Sequence, residues 1–185
     1  MTLAISYGML AAVITVVWLA VGAVRSISTR RLDMRRAFYD LLVYICAIVV
    51  IRFTFFPFSR VNGEIGPLIF DSVSAFPPRI NLIPFVNLFD YEIRRELWLN
   101  LIGNTAMFLP LGIVWPLAFR QWNTHGAVLL SGFCTSLCIE ILQLPFYDRV
   151  TDIDDLILNT VGFAVGYGIL LSVRRLIRMK KTASE

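Results

Sequence analysis

The chain has 185 residues, of which 57% are apolar and 16% charged, and its mean hydropathy is +0.72. A soluble domain is nearer half apolar and a quarter charged, so this composition excludes an ordinary soluble domain and favours a membrane protein. The net charge of +4 does not indicate nucleic-acid binding, because the basic residues lie in two blocks beside apolar runs. In that position they report membrane topology rather than a polyanionic partner.

Five apolar runs are long enough to cross a bilayer. They are Leu3–Val24, Phe38–Phe58, Leu97–Phe119, Gly126–Phe146 and Ile153–Val173. At 1.5 Å per residue each covers about 30 Å, the thickness of the hydrocarbon core. The sequence therefore predicts an all-α fold, a polytopic membrane bundle of five transmembrane helices that forms one domain over residues 1–185.

Lysine and arginine are distributed unevenly between the two sides of this predicted bundle. Strict alternation of the five spans puts 11 of them on the side of residues 25–37 and of the C-terminal tail, and 5 on the other side. The richer side is cytoplasmic by the positive-inside rule. We therefore expect a multi-pass protein with its N-terminus outside and its C-terminus inside.

The one long connection, Ser59–Glu96, is too short and too rich in proline to form an independent core. Within it, Ile80–Phe89 is apolar again, but it is too short to span and contains Pro84. We expect this segment to be interfacial or re-entrant on the outer face.

Three cysteines, Cys46, Cys134 and Cys138, lie inside apolar runs without a CxxC pair. With a single histidine in the chain, this pattern does not favour a zinc site or a disulfide framework. The cysteines are expected to be small buried apolar residues, and His125 a solvated turn residue.

Polar side chains are costly inside a bilayer, so their depth is informative. Measured along each predicted span, Arg52, Asn104, Glu140 and Asn159 lie about 9 to 10 Å below the outer boundary, on four different helices. Near the inner boundary, Asp40 is expected to pair with Arg36, four residues before it. The sequence thus predicts a polar cluster in the outer leaflet.

The polar residues also share helix faces. Three sets have helical spacing: Asn100 with Asn104, Glu140 with Gln143, and Asp155 with Asn159, Gly162 and Gly166. The last set contains a GxxxG pattern, which is expected to pack against another helix. The cluster has two interpretations: an ion pair of Arg52 with Glu140 that only joins helices, or a ligand site, which the excess of acidic residues near Arg52 favours.

Five motifs of this chain, in this order, resemble those of the VanZ-like family of bacterial membrane proteins. They are Arg52 with Phe56-Pro57-Phe58, Asn81-Leu82-Ile83-Pro84-Phe85, Asn100 to Gly112, Glu140-Ile141-Leu142-Gln143, and Arg149 to Gly162 with Asp152, Asp154, Asp155 and Asn159. The family is named for a protein associated with reduced susceptibility to the glycopeptide teicoplanin. The resemblance implies a polytopic protein of the bacterial cell membrane, linked in some members to glycopeptide resistance, and it implies no particular reaction.

Two functions follow as hypotheses. In the first, an outer-leaflet pocket binds the headgroup of a membrane lipid or lipid-linked envelope precursor, or a lipoglycopeptide, with Arg52 as the anion anchor. The residues assigned to this pocket are Arg52, Asn81, Asn100, Asn104, Glu140, Gln143, Arg149, Asp152, Asp155 and Asn159.

In the second hypothesis the protein is an enzyme that modifies such a headgroup. Glu140 is the general acid/base, Asp154 and Asp155 are further catalytic candidates, and Asp152, Asp154 and Asp155 are candidate ligands of a divalent cation. The sequence has no HExxH or GxSxG motif, and no cofactor is otherwise expected. A transporter is disfavoured, because the inner halves of the spans lack polar residues and no inverted repeat is present.

Overall fold

The computed structural model describes residues 2–29, 33–56, 60–61, 63–71, 79–85, 94–121, 124–146 and 149–183, and it is mostly helical. Its five helices are α1 (Tyr7–Thr29), α2 (Met34–Phe55), α3 (Arg94–Ala118), α4 (His125–Gln143) and α5 (Ile153–Thr182). All five contain a stretch long and apolar enough to cross a membrane. The predicted five-helix membrane fold is therefore confirmed.

Short strands pair outside the helices. In chain order they are β1 (Thr2–Ile5), β2 (Arg60–Val61), β3 (Glu64–Ile65), β4 (Leu68–Asp71), β5 (Ile80–Asn81) and β6 (Thr151–Asp152). β1 pairs antiparallel with β4, β2 pairs antiparallel with β3, and β5 pairs parallel with β6. The first and third pairs join the residues just before α1 and α5 to the connection between α2 and α3, and the second pair lies within that connection.

The chain divides into two compact units. The first comprises Met1–Leu82 and Cys138–Ile153, and the second comprises Ile83–Leu137 and Asp154–Glu185. The first unit therefore contains α1, α2, the last turns of α4 and all six described strands. The second contains α3, most of α4 and almost all of α5.

The first two helices begin and end at other residues than predicted. Residues 2–5 are a strand rather than the start of a span, and Ser6 caps α1 by accepting a hydrogen bond from the backbone N–H of Met9. Asp33 caps α2 in the same way, accepting from two backbone N–H groups. α2 ends at Phe55, because Phe56 precedes a proline and is extended, with φ −113° and ψ 144°.

The later helices differ mainly at their ends. α4 ends at Gln143, three residues before the predicted boundary and just ahead of Pro145. α5 continues to Thr182, nine residues past the predicted end of its span. Of the predicted interfacial segment, residues 80–85 are described as β5 and a turn at Phe85, whose φ is 60°, and residues 86–89 lie outside the described residues.

Side-chain contacts join α1 to α2 in the first unit. The hydroxyl groups of Thr15 and Tyr44 lie 2.7 Å apart, and the Tyr44 ring stacks on Trp18 with 4.8 Å between centroids. Arg25 Nη1 donates to Asp40 Oδ2 at 2.7 Å, so the predicted partner of Asp40 within its own helix is wrong. The Asp40 carboxylate therefore pairs with a cation of the neighbouring helix α1 and not with one of its own helix.

Backbone-to-backbone contact joins α3 to α5 in the second unit, as the GxxxG pattern predicted. A Cβ built at Gly162 would meet the carbonyl oxygen of Thr105, and one at Gly166 would meet the carbonyl oxygen of Leu109. Both contacts keep the same register, so α3 and α5 run parallel. This direction is the one that strict alternation of spans requires for the third and fifth helices.

Two expectations about single residues are wrong. Cys134 and Cys138 are exposed on α4 rather than buried, and Cys46 is half-buried. In a membrane helix an exposed apolar residue faces lipid, so apolarity does not predict burial in protein. His125 is exposed, as expected, but it is the first residue of α4 rather than a turn residue, and its Nδ1 lies 2.8 Å from the Tyr167 hydroxyl group.

Candidate functional site

Three side chains bind the backbone carbonyl groups at the C-terminal end of α2. A helix end leaves its last carbonyl oxygens without partners in the helix, and cationic groups are favoured there. Gln143 Nε2 donates to the carbonyl oxygen of residue 54 at 2.7 Å, and Arg149 Nε donates to that of residue 55 at 2.9 Å. Arg52 Nη1 donates to that of residue 56 at 3.3 Å. Two guanidinium groups therefore lie at one helix end in the first unit.

Aromatic rings surround the guanidinium group of Arg52. Its Cζ lies 5.4 Å from the ring centroid of Phe53 and 5.9 Å from that of Tyr7. The Tyr7 ring in turn packs edge-on against Phe56, with 5.4 Å between centroids. Cation–π contacts of this kind orient a guanidinium group while leaving N–H groups to polar partners.

Glu140 connects α4 to β6 within the first unit. Its side chain is only 3% exposed, and Oε2 accepts a hydrogen bond from the backbone N–H of Asp152 at 3.1 Å. Its backbone carbonyl oxygen accepts another from the Thr151 hydroxyl group at 2.9 Å. Asn81 Nδ2 donates to both carboxylate oxygens of Asp152 at 3.2 Å. Glu140, Asp152 and Asn81 thus form one chain of hydrogen bonds.

The first turn of α5 carries two carboxylates with partners in the second unit. Asp154 is buried, and its Oδ1 accepts a hydrogen bond from the backbone N–H of Phe85 at 2.8 Å. Asp155 Oδ1 accepts from Asn104 Nδ2, which also donates to Asn100 Oδ1 at 2.6 Å. Negative charge is favoured at a helix N-terminus, so these carboxylates also stabilise α5.

Asn159 forms a buried polar pair with Ser136. Asn159 is 1% exposed, Ser136 is fully buried, and Asn159 Nδ2 donates to the Ser136 hydroxyl oxygen at 3.1 Å. Within the described part of the chain, Asn159 Oδ1 and Gln143 Oε1 are buried and accept no hydrogen bond. A buried acceptor without a hydrogen bond costs about 1–3 kcal/mol, so each of these two oxygens lowers the stability of the fold.

The sequence-predicted site residues divide between the two units, each set with its own contacts. The first unit holds Arg52, Asn81, Glu140, Gln143, Arg149 and Asp152, and the second holds Asn100, Asn104, Asp154, Asp155 and Asn159. Two predicted pairs share a helix face as expected. Asn104 donates a hydrogen bond to Asn100, and Glu140 and Gln143 are both buried. One site built from both sets stays a prediction.

The corrected helix ends change the depth of two of these residues. Arg52 and Glu140 each lie three residues, about 4.5 Å, before the end of their helix, rather than the predicted 9 Å. Asn159 stays six residues, about 9 Å, from Ile153. That all four side chains, those of Arg52, Asn104, Glu140 and Asn159, lie at the same depth in the membrane likewise stays a prediction.

Sequence reasoning missed Thr54, Ser136 and Thr151, which supply a carbonyl group or a hydroxyl group to the polar contacts. Serine and threonine are common in membrane helices, where their hydroxyl groups also bond to the preceding turn, so their positions carry little signal. Among the described residues, no group of three or more His, Cys, Asp or Glu side chains is placed to hold a metal ion. The divalent cation at Asp152, Asp154 and Asp155 stays a prediction.

The family model described as VanZ/LLP1 matches residues 41–176, from the first half of α2 to six residues before the end of α5. The chain belongs to this family. The match contains every predicted site residue and leaves α1 outside it. No curated protein and no solved structure matches the chain.

Proposed function

We propose that this VanZ/LLP1 protein binds the anionic headgroup of a membrane lipid or of a lipid-linked envelope precursor at the C-terminal end of α2. The observation that carries the proposal is the pair of guanidinium groups on successive carbonyl oxygens, those of Arg149 and Arg52. Both arginines are partly exposed, whereas Glu140, an acidic residue of the same unit, is buried. The two partly exposed groups on the end of α2 are therefore cationic, and guanidinium groups bind phosphate oxygens with directed, charge-assisted hydrogen bonds.

The position of the two arginines favours a membrane-embedded ligand over a solute. Both lie at the end of α2, an apolar helix with a mean hydropathy of 2.0 along its span. The end of such a span lies where the hydrocarbon core meets the headgroup region. A ligand with an acyl chain in the hydrocarbon and a phosphate at its edge fits this arrangement. A lipoglycopeptide such as teicoplanin has the same amphiphilic character, and a contribution to glycopeptide resistance follows as part of the proposal.

We further propose that this end of α2 faces the outside of the bacterial cytoplasmic membrane, because that orientation leaves 11 connecting and terminal Lys/Arg residues inside. Single cysteines introduced as Ser74→Cys and Ser184→Cys, in a chain whose own cysteines are replaced, test the orientation. A membrane-impermeant thiol reagent applied to intact cells should label the first variant and spare the second. The reverse labelling pattern would contradict the orientation.

Binding can be measured with the purified full chain in detergent, titrated with short-chain phosphatidic acid, short-chain phosphatidylcholine and inorganic phosphate. We expect Arg52→Gln and Arg149→Gln each to weaken binding of phosphatidic acid by about tenfold or more, because each removes a charged hydrogen-bond donor. Arg36→Gln is the matched control, since it removes one exposed positive charge from the other end of α2. Equal affinity of all three variants would contradict the proposal.

A headgroup-modifying enzyme is the second candidate function, and the burial of the Glu140 carboxyl group favours it. A carboxyl group that is 3% exposed and bonded to one backbone N–H is a suitable proton donor or acceptor for chemistry on a headgroup. Release of the headgroup should then be measurable with purified protein, with and without chelator. Glu140→Gln keeps an acceptor for the Asp152 N–H, so it should retain binding and lose turnover. Turnover that survives this change would exclude Glu140 as the acid/base.

A further inference from the structure

The C-terminal part of α5 extends beyond the end of α3. α5 has 30 residues and is about 45 Å long, whereas the hydrocarbon core is about 30 Å thick. Gly162 lies against Thr105, Gly166 against Leu109, and Gly112 of α3 against Phe163. Continued from these contacts, Ala118, the last residue of α3, is level with a position of α5 between Ile169 and Arg175. Residues 176–182 of α5 therefore run past the end of α3.

Three basic residues in and just before this extension lie on one helix face. Arg174, Arg178 and Lys181 follow one another at spacings of four and three residues. The same face continues upward through Leu170 and Tyr167, both of which are buried in the second unit. The basic stripe of Arg174, Arg178 and Lys181 is thus the continuation of the face that α5 turns toward its own unit, and not of the face turned toward lipid.

The opposite face of the extension is apolar. Val165 and Ile169 are exposed within the span, and Leu176 and Met179, each 58% exposed, continue their stripe beyond it. Exposed apolar side chains are stable against lipid and unfavourable in water. We therefore expect the apolar face of the extension to stay in contact with the membrane, which puts the basic stripe at the level of the headgroups.

The segments around the basic stripe are rich in basic residues, and the acidic residue nearest to the stripe in sequence is Glu185. Residues 119–125, which connect α3 to α4, and residues 174–183 contain Arg120 and five further basic residues but no aspartate or glutamate. Within the described part of the chain, the side chains of Arg174 and Arg178 are exposed and form no hydrogen bond or ion pair. The His125 ring, bonded to Tyr167, places the start of α4 about 10 Å along the helix from Arg174.

We propose that Arg174 and Arg178 bind the phosphate group of an anionic phospholipid at this end of α5, with Lys181 on the same face. Basic side chains at the end of a transmembrane helix attract anionic headgroups with about 1 kcal/mol per charge. Here the headgroup sits beside the end of α3, on the side of α5 that faces its unit, so binding depends on which face carries the charge. The inference is independent of the function proposed at the C-terminal end of α2.

Two double variants test the proposal: each removes two positive charges, but from different faces of α5. Arg174→Gln with Arg178→Gln removes two charges from the basic stripe, and Arg175→Gln with Lys180→Gln removes two charges from the rest of the helix surface. Lipid binding is measured on the purified full chain by native mass spectrometry and by the shift in melting temperature, with short-chain phosphatidylglycerol, short-chain phosphatidylcholine and inorganic phosphate as probes. The Arg52→Gln, Arg149→Gln background removes the contribution of the arginines at the end of α2.

We expect phosphatidylglycerol to bind the stripe variant roughly thirty-fold more weakly than the wild type, and the matched variant nearly as tightly as the wild type. Phosphatidylcholine and inorganic phosphate should give no comparable binding. Equal losses in both variants would overturn the proposal in favour of a diffuse attraction by total charge. An equal response to inorganic phosphate would overturn the lipid identity of the ligand, and unchanged binding in the stripe variant would exclude the site.

Discussion

The two units join their helices in different ways, although the helices have similar hydropathy. α1 and α5 have mean hydropathies of 2.1 and 1.9 along their spans, yet no described residue of α1 is buried, whereas eight residues of α5 are. α1 meets α2 through hydroxyl groups, aromatic rings and one ion pair, while α5 meets α3 backbone to backbone. Hydropathy therefore identifies a span, and the small and polar residues within it determine how the span packs.

Substitutions should destabilise the protein more at the backbone contact of α3 with α5 than at the side-chain contacts of α1 with α2. We expect Gly162→Ala or Gly166→Ala to destabilise the protein by about 1–3 kcal/mol or more, because the added methyl group would meet a carbonyl group of α3, whose carbon lies 2.9 Å away. Thermal unfolding of the purified protein in detergent measures this effect. Gly168→Ala on the same helix is the control, since nothing lies within 4 Å of its added Cβ.

A melting temperature of Gly162→Ala equal to that of Gly168→Ala would show that the helices separate at little cost. The difference between the two units would then disappear. If instead only the variants at Gly162 and Gly166 unfold early, close approach of α3 and α5 is required for the fold.

An effect of similar size is expected from the amide that holds α3 to the first turn of α5. Asn104→Leu removes the donor to the Asp155 carboxylate and should cost about 1.5–3 kcal/mol, because a charged acceptor loses a hydrogen bond in a partly buried position. Adding Asp155→Leu removes the charge as well, so the double variant should recover part of this loss. Chemical or thermal unfolding in detergent measures both. Additive losses would contradict the pairing.

The elements that could be predicted from the sequence are those set by local pattern. Apolar length gave five spans, and spacings of three or four residues correctly grouped Asn100 with Asn104 and Gly162 with Gly166. Helix ends were shifted where a cap or a proline acts, since a hydropathy average does not register one side chain such as Asp33.

Contacts that depend on long-range packing could not be predicted. Arg149 and Gln143 bind backbone carbonyl oxygens of α2, and every residue has such an oxygen, so no sequence pattern distinguishes the ones that are used. Asp40 has Arg36 at helical spacing and yet pairs with Arg25, which only the packing of α1 against α2 brings within reach. The exposure of Cys134 could not be predicted either, because lipid and protein interior are equally apolar and an apolar residue suits both.

The side-chain contact between α1 and α2 should give the smallest effect. The Thr15 hydroxyl group lies 2.7 Å from both the carbonyl oxygen of Ala11 and the Tyr44 hydroxyl group. Its single proton serves the carbonyl oxygen, so Tyr44 donates to Thr15. Thr15→Val and Tyr44→Phe both remove this interhelical hydrogen bond, and Thr15→Val also removes the bond to Ala11 within α1. The interhelical bond should account for about 0.6 kcal/mol of each loss, the average for such bonds between membrane helices.

Because both changes remove the same interhelical bond, the double variant should be hardly less stable than Thr15→Val alone, and the phenyl ring that Tyr44→Phe leaves in place would still stack on Trp18. Unfolding of the four proteins in one detergent gives the coupling energy between the two positions. Losses that simply add would mean that Thr15 and Tyr44 act separately, and a loss as large as that of Gly162→Ala would mean that α1 depends on this bond as α5 depends on its glycines. A small, fully coupled effect would instead show that α1 is held by several weak contacts, none of them essential, in contrast to the close backbone packing of α5.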